Sequence, residues 1–347
     1  QIYREQKLST FQNDELRRAV LLAFCQQAPS LTDATFESWL DEIAFHHIVN
    51  DPDAGCFSAA ELLTRRLGHD PKLAGRFQRR AKSDIHGILG RVLIDHQGLA
   101  FSIITNPENS AESIAVATTE TTYQEVMDFA AQHPIILTQY GLPLPPLDAI
   151  VARDLATSAF PFMHRRPRKD LGLIYSYCNW LSDSNGLEQE SWSYPVDWNP
   201  SEIAAVKVTL TRPGFRLLTS REWQLANQST EPLVSCVSPD GPVVLDYAWS
   251  FENARSPDRS VGNRLPNADG LFDMFGNVEE VCHTSELAAP TEPGFFTHGQ
   301  TVRSQISAFN SKPVGIGNGP LGAGDIYTTY VGFRVMRRLP ASNEQDP

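Results

Sequence analysis

The sequence predicts an α+β protein in which a mainly helical N-terminal region precedes a larger, loop-rich region. Two observations support this prediction. Apolar residues recur at helical spacing through the first third of the chain, and beyond it the segments become short and rich in Gly, Pro and Asn. The change falls at the run N-P-E-N-S at 106–110. We therefore predict a helical domain over residues 1–106, a second domain over 107–340 and a disordered tail over 341–347.

Four helices are predicted in the first region. Asn13 and Asp33 are suitable N-caps for the first two helices, and Ser58 is a suitable N-cap for a third. Asp70 begins a fourth helix that runs toward Ile88. The second helix has a clear amphipathic face, formed by Phe36, Trp39, Leu40, Ile43 and Ala44.

A β-hairpin follows these helices. Two apolar runs, at 92–94 and 99–101, flank a turn, and helices followed by such a hairpin resemble a winged-helix arrangement. A basic cluster precedes the hairpin, formed by Arg76, Arg79, Arg80 and Lys82. Such runs are usually a solvated helix face, and acidic residues of the same region balance this one. We therefore favour a structural or protein-interaction role over DNA binding.

The charge of the chain is unevenly distributed. Residues 1–105 carry 12 Lys and Arg against 13 Asp and Glu, whereas the remainder carries 17 against 28. A surface this acidic repels phosphate, so we expect no nucleic-acid partner for the second region. No apolar stretch is long enough for a transmembrane helix. No signal peptide is visible ahead of the first helix, so a bacterial cytoplasmic location and export after processing both remain open.

The second region contains three predicted helices, at 123–132, 171–183 and 220–228, among irregular segments. The five cysteines of the chain are scattered and form no C-x-x-C pair, which predicts buried free thiols and neither a zinc ribbon nor a redox motif. No internal repeat is present.

Five short motifs occur in order along this second region. The run E-T-T at 120–122 is followed by Phe129, and Y-C-N-W-L-S stands at 177–182. The run F-R-L-L-T-S-R-E-W occupies 215–223. The longest motif is P-N-A-D-G-L-F-D-M-F-G-N-V-E-E at 266–280, and G-F-R-V closes the series at 332–335.

Each motif also has a structural interpretation. Thr219 is a suitable N-cap for a helix that places Trp223 toward the core. Gly270 and Gly276 stand where turns need a positive φ or a close approach of the backbone. Arg216 and Arg334 are expected to pair with buried carboxylates, for which the candidates are Glu222 and Asp273.

Together these motifs resemble the formylglycine-generating enzyme (sulfatase-modifying factor) superfamily, over residues from about 114 to 338. The resemblance implies a C-type-lectin-like fold with a small twisted antiparallel sheet, two helices and much irregular loop. It also implies a structural calcium ion in the G-N-x-x-E segment. The matching positions here are Asn277, Val278 and Glu280, whose oxygen ligands suit a hard cation.

The chemistry of the catalytic relatives requires residues that this sequence lacks. The formylglycine-forming members use two late cysteines to bind copper, a metal that thiolates favour. No cysteine follows Cys282, so we expect no copper. The sulfoxide-synthase relatives bind iron through three histidines, one pair of them in H-x-x-x-E-x-H, and this motif is absent. The resemblance therefore implies a non-catalytic member.

The stretch before the closing G-F-R motif is where the sequence departs most from the family pattern. In the superfamily this stretch lines the functional face, and here it is rich in Tyr, Ser, Asn and Gly, residue types that adaptable binding surfaces favour. The candidate ligand-binding residues are Ser304, Gln305, Ser307, Phe309, Asn310, Asn318, Asp325, Tyr327 and Tyr330. An ordinary Gly-rich loop has the same composition.

The first hypothesis is a non-catalytic binding or sensor protein that recognises a protein or other macromolecule through residues 303–330. One variant of it is a variable protein diversified by a retroelement, because residues 304–330 are mostly types reached by randomising an Asn codon. The alternatives are a divergent metal-dependent oxidative enzyme of the superfamily and a regulator of a bacterial signalling or secretion system.

Overall fold

The computed structural model describes most of the first predicted region and about half of the second. The described residues are 13–31, 33–82, 88–106, 109–133, 167–197, 208–228, 246–247, 260–275, 277, 279–283, 295–298, 312–314 and 331–340. Together they form mixed helix and antiparallel sheet with a helical N-terminal part, which confirms the α+β class.

Four helices form the N-terminal part. They are α1 (Asp14–Gln27), α2 (Ala34–Asn50), α3 (Ala54–Arg66) and α4 (Leu73–Ala81). The Asn13 side chain caps α1 by accepting from the Leu16 N–H, and the Asp33 side chain caps α2 by accepting from Thr35 and Phe36, so both predicted N-caps are confirmed.

The third helix begins earlier than predicted. Its N-cap is Asp53, which accepts from the Cys56 N–H, and α3 starts at Ala54. Ser58 is therefore not a cap. It lies in the second turn, fully buried, and its hydroxyl donates to the carbonyl of Gly270. An aspartate before the first turn satisfies the free N–H groups there, which leaves the serine for a distant contact.

The fourth helix is shorter than predicted. A 3-10 turn at Asp70–Lys72 precedes α4, which begins at Leu73 and ends at Ala81. Ile88 is not helical but begins the first strand. The predicted start of the helix is correct within a few residues, and its predicted end near Ile88 is wrong because Ile88 pairs with Leu93 in a sheet.

The basic cluster is only partly a solvated helix face. Arg76 and Arg80 are 5% and 1% exposed, so that prediction is wrong for these two residues. Arg80 donates to the backbone carbonyls of Ile48, Asp51 and Leu89, at 2.8, 2.8 and 2.9 Å. The guanidinium therefore satisfies carbonyls at the end of α2 and holds this helix against the first strand.

A six-stranded antiparallel sheet runs through both regions. In spatial order its strands are β1 (Ile88–Leu89), β2 (Val92–Ile94), β3 (Ala100–Asn106), β4 (Asn109–Ala117), β10 (Val335–Leu339) and β5 (Arg216–Leu217). The predicted hairpin is confirmed as β2 and β3, with Leu93 opposite Phe101. β3 pairs with β4 along its length, so one sheet crosses the predicted boundary at 106/107.

A second sheet of four strands contains the end of the longest motif. Its strands in spatial order are β8 (Lys312–Val314), β7 (Phe295–His298), β6 (Glu279–His283) and β9 (Val331–Gly332). β6 and β7 are antiparallel, whereas β6 and β9 are parallel. A bridge between Thr219 and His283 brings this sheet next to the end of β5.

Three helices accompany the sheets, namely α5 (Tyr123–Gln132), α6 (Pro167–Ser184) and α7 (Ser220–Asn227). Capping boxes start α5 and α7: Thr122 exchanges hydrogen bonds with Glu125, and Thr219 does so with Glu222. The predicted cap at Thr219 is confirmed, and Trp223 is 4% exposed, as expected. None of the helices in the described part of the chain has the length and apolar character needed to span a bilayer.

Helix α3 lies at the centre of the N-terminal part and has no free face over most of its length. Every residue from Ala54 to Thr64 is buried, among α1, α2 and the loop of the longest motif. Phe272 of that loop belongs to the same apolar cluster as Leu62 and Leu63 of α3. The helices are thus packed against the second region and share a core with it.

Candidate functional site

The residues predicted to bind the ligand all lie outside the described residues, and so does Val278 of the predicted calcium site. Strand β9 shows where the 303–330 segment ends. Val331, the residue after Tyr330, pairs with Glu279, and Gly332 pairs with Glu280. The end of the predicted binding segment is therefore attached beside the predicted calcium residues.

Arg334 is the centre of the polar contacts beneath this attachment. Its side chain is fully buried and donates to Glu280 Oε1 through Nε at 3.0 Å and Nη2 at 2.8 Å. It also donates to the carbonyl of Ala117 at the end of β4 and to that of Phe272 in the motif loop. The planar guanidinium thus joins β10, β4, β6 and the loop at one point.

Glu280 is the ion-pair partner of Arg334, where the sequence suggested Asp273. Its second oxygen, Oε2, accepts from Trp223 Nε1 at 2.8 Å, and the residue is 1% exposed. The other predicted pair is confirmed, because Arg216 donates to both oxygens of Glu222 at 2.7 and 2.8 Å. These pairs fix α7 against both sheets.

Two further carboxyl groups lie close to Arg334. Glu120 Oε2 accepts from Asn277 Nδ2 at 2.8 Å, and Asp273 Oδ2 accepts from the Gly262 N–H at 2.7 Å. Burial, together with the carboxylates of Asp273 and Glu280, raises the pKa of Glu120 well above its usual range. Glu120 is fully buried and favours the neutral form in this position.

The loop adopts strained backbone at two of these residues. Asp273 and Asn277 have φ values of 56° and 60°, in the left-handed region that few residues other than glycine adopt. Asn and Asp are the types that tolerate it best, because their short side chains form local hydrogen bonds. The predicted positive φ at Gly270 is confirmed at 78°, and Gly276 lies outside the described residues.

The calcium site implied by the family remains a prediction. Glu280 Oε1 accepts two hydrogen bonds from Arg334, so only Oε2, which accepts one, keeps a free lone pair for a cation. Calcium takes six to eight oxygens, and the remaining ones would come from backbone carbonyls and water. Within the described ranges, no group of three or more His, Cys, Asp or Glu side chains is arranged to hold a metal ion.

A buried aromatic contact that the sequence did not indicate joins α6, β5 and β6. The Tyr194 hydroxyl accepts from the Leu217 N–H at 3.0 Å and forms a hydrogen bond of 2.8 Å with His283 Nε2. Burial and the charge of Arg216 lower the pKa of His283 to about 3, so this histidine is neutral. Tyr175 stacks on Tyr194 with ring centroids 4.0 Å apart. The residues are too far apart in sequence for a local pattern to show this.

The described cysteines are buried, and two of the described histidines contact aspartates. Cys25, Cys56, Cys178 and Cys282 are buried free thiols, as predicted, and Cys236 lies outside the described residues. His47 is 1% exposed, and its Nδ1 lies 2.7 Å from Asp51 Oδ2. His69 contacts Asp41 at the surface of the helical part.

The comparison with family models agrees with the resemblance to the formylglycine-generating enzyme superfamily that the motifs carry. Residues 174–339, just under half of the chain, match the Sulfatase-modifying factor enzyme 1-like domain. The resemblance predicted from the five motifs is confirmed for this part of the chain.

Similarity to individual proteins is more distant. The Chaperone protein LppX of Paenibacillus barcinonensis is 30% identical over 133 residues, which cover 30% of this chain and 46% of that protein. The match therefore spans less than half of that relative. Among solved structures, Treponema denticola variable protein 1 is 17% identical with a TM-score of 0.41, covering 70% of this chain and 96% of that one. CarF is 15% identical with a TM-score of 0.38, covering 65% and 87%. Neither likeness is close enough to imply a shared function.

Proposed function

We propose that this protein is a non-catalytic binding protein that recognises a protein or other macromolecule through residues 303–330. The observation that supports this most directly is the burial of the family motifs. Their polar side chains at the centre of the domain are at most 2% exposed, namely Asn267, Asp273, Asn277, Glu280 and Arg334. Side chains this buried cannot contact a macromolecule, so recognition has to come from another part of the domain.

The segment 303–330 is the part of the domain best suited to that role. It carries the Tyr, Ser and Asn residues typical of binding surfaces, and β9 anchors its end to β6 beside Glu280. A binding segment held on a rigid strand at its end loses less conformational entropy on binding than a free one. The retroelement-diversified protein remains one form of this proposal.

Metal analysis of the purified protein separates the proposal from the oxidative-enzyme alternative. We expect no copper or iron after expression with both metals supplied, because the chain has no cysteine beyond Cys282 and no H-x-x-x-E-x-H motif. One equivalent of either metal per chain, bound after gel filtration, would contradict the proposal.

Substitution of the segment tests its role in binding. Proteins captured from a lysate of the source cells by the wild-type chain should be lost with Tyr327→Ala and Tyr330→Ala combined. They should be retained with Met127→Ala and Val196→Ala, which change exposed apolar residues outside the segment. Capture that is the same with both pairs of variants would place the binding surface elsewhere.

Diversification is tested in the coding sequences of close isolates. If the protein is a retroelement-diversified receptor, substitutions should concentrate in codons 304–330 and spare the codons of the buried motifs. Substitutions spread evenly along the chain would remove this form of the proposal and leave an ordinary binding protein.

We also propose that Asn277, Val278 and Glu280 hold a structural calcium ion. A ligand that binds only the folded chain raises its stability by RT ln(1 + [L]/Kd), about 2.7 kcal/mol at a hundredfold excess over Kd. Calcium should therefore raise the melting temperature of the wild-type chain and of Glu222→Gln, but not that of Glu280→Gln. Glu222 is the matched control because it is also a carboxylate paired with an arginine. Equal shifts in all three proteins would contradict the site.

A further inference from the structure

The loop of the longest motif receives contacts from the helical part of the chain on one side and from the centre of the domain on the other. On the helical side, Ser58 Oγ donates to the Gly270 carbonyl at 2.7 Å, and Arg18 Nη1 donates to the Ala268 carbonyl at 3.1 Å. Arg91 forms an ion pair with Asp269. Residues from α1, α3 and the β1–β2 turn thus hold three successive loop residues.

The backbones of α3 and the loop approach each other so closely that only glycine fits. A Cβ atom on Gly55 would lie 2.7 Å from the Ala268 carbonyl oxygen, and a Cβ atom on Gly270 would lie 2.4 Å from that of Ala54. Both distances are shorter than side chains tolerate against backbone. The two elements therefore have one relative position, and a change in one has to move the other.

On its other side the loop contacts the strands and α7. Asn267 Nδ2 donates to the Ala226 carbonyl in α7 at 3.0 Å, and the Phe272 N–H donates to the Thr118 carbonyl after β4 at 2.8 Å. The Phe272 carbonyl accepts from Arg334 Nη2 at 2.8 Å. Arg334 lies two residues after β9, the strand that follows the 303–330 segment. The loop is therefore hydrogen-bonded to a residue close to the end of that segment.

The apolar side chains of the loop divide in the same way. Phe272 packs in the cluster of the helical part, with Leu21 and Phe57. Its neighbour Leu271 packs in a separate cluster with Trp223 and Met336. Successive residues of one short loop therefore belong to two cores, and rotation of the loop would disturb both.

We propose that the loop 267–272 couples the four N-terminal helices to Arg334 and to strand β9. Coupling between distant positions requires packed elements whose arrangements depend on each other. Here α3 contacts the loop, the loop contacts Arg334, and Arg334 lies two residues after β9. The helical part then acts as a fixed support for strand β9, which follows the 303–330 segment.

Amide hydrogen exchange of the full chain tests this coupling without any ligand. Ser58→Ala removes the donor to the buried Gly270 carbonyl, and Gly55→Ala forces α3 and the loop apart. We expect exchange to become at least about fivefold faster in peptides covering 271–283 and 331–339 in both variants, since local opening follows the lost contacts.

The matched control is Ala74→Gly in α4. Ala74 is exposed and does not contact the loop, while glycine weakens the helix. This variant should exchange faster in α4 and leave 271–283 and 331–339 at the wild-type rates. If Ser58→Ala accelerates exchange in α1 to α3 alone, with 331–339 unchanged, the coupling is refuted. The milder Ser58→Ala keeps the test valid should Gly55→Ala fail to fold.

Discussion

Arg334, the residue before β10 of the large sheet, forms a fully buried ion pair with Glu280 in β6 of the small sheet. Two nitrogens of the guanidinium donate to the same carboxylate oxygen, at 3.0 and 2.8 Å, and the two side chains are 0% and 2% exposed. Both residues belong to the family motifs, and neither side chain is exposed at the surface. Their pairing gives these two motif residues a structural role at the centre of the domain.

Breaking this pair should destabilise the protein strongly. Glu280→Gln leaves the Arg334 charge buried without its counter-ion, which typically costs about 3–5 kcal/mol of the free energy of unfolding. Urea denaturation followed by circular dichroism measures this. The control is Glu112→Gln, which removes the exposed pair with Arg338 and should cost about 1 kcal/mol or less. Similar costs for the two variants would show that the buried pair is not a major contributor.

Gly270→Ala should cost more than Gly98→Ala, although both glycines have a positive φ, at 78° and 83°. Alanine pays about 1–2 kcal/mol for the left-handed backbone at either position. Only at Gly270 does the new methyl group also meet backbone, at 2.4 Å from the Ala54 carbonyl oxygen, whereas nothing lies within 4 Å at Gly98. We expect a further loss of about 1–3 kcal/mol at Gly270. Equal losses in thermal or urea unfolding would mean that the loop moves away from α3 at little cost.

Asp51 should stabilise the protein at neutral pH, and this stabilisation should be lost in acid. Burial alone would raise the pKa of Asp51, but hydrogen bonds from His47, Arg17 and the Asp53 N–H outweigh it and lower this pKa to about 2. A carboxyl group with a lowered pKa stabilises the fold above its unfolded pKa, near 4, and this contribution is lost as the pH falls toward 2. It amounts to about 2 kcal/mol.

Unfolding free energies of wild type and Asp51→Asn between pH 2 and 6 test this assignment. The variant should be less stable at pH 6 and should lose less stability than the wild-type chain on acidification, because asparagine has no proton to gain. Parallel pH profiles for the two proteins would show that Asp51 does not titrate in this range.

The cysteines should be unreactive in the folded protein. Cys25, Cys56, Cys178 and Cys282 are buried, and burial raises the pKa of Cys25 to about 12. A thiol reagent at neutral pH should therefore modify at most Cys236 in the native chain and all five cysteines in guanidinium chloride. Rapid modification of two or more thiols without denaturant would contradict the packing of at least one core cluster.

The starts of helices were the features of the fold that the sequence predicted best. The capping residues Asn13, Asp33 and Thr219 precede their helices as expected, because an N-cap acts on N–H groups only two or three residues away. The wrong prediction of an N-cap at Ser58 also arises from reading only the local sequence. A serine before a helical run resembles a cap, and nothing nearby in the sequence shows that its hydroxyl contacts Gly270, 212 residues further on.

The sequence by itself determined the α+β class, most helix starts, the hairpin of β2 and β3, and the family resemblance of the second region, because spacing, caps and motifs are local properties. Only the tertiary structure decided that Arg334 pairs with Glu280 and that Arg80 is buried. It also decided that one sheet joins the two regions and that α3 packs against the motif loop. These facts depend on contacts between residues that are far apart in the sequence, above all on which buried polar groups pair with each other. Partners such as Arg334 and Glu280, 54 residues apart, are matched by packing and by the cost of leaving a charge unpaired.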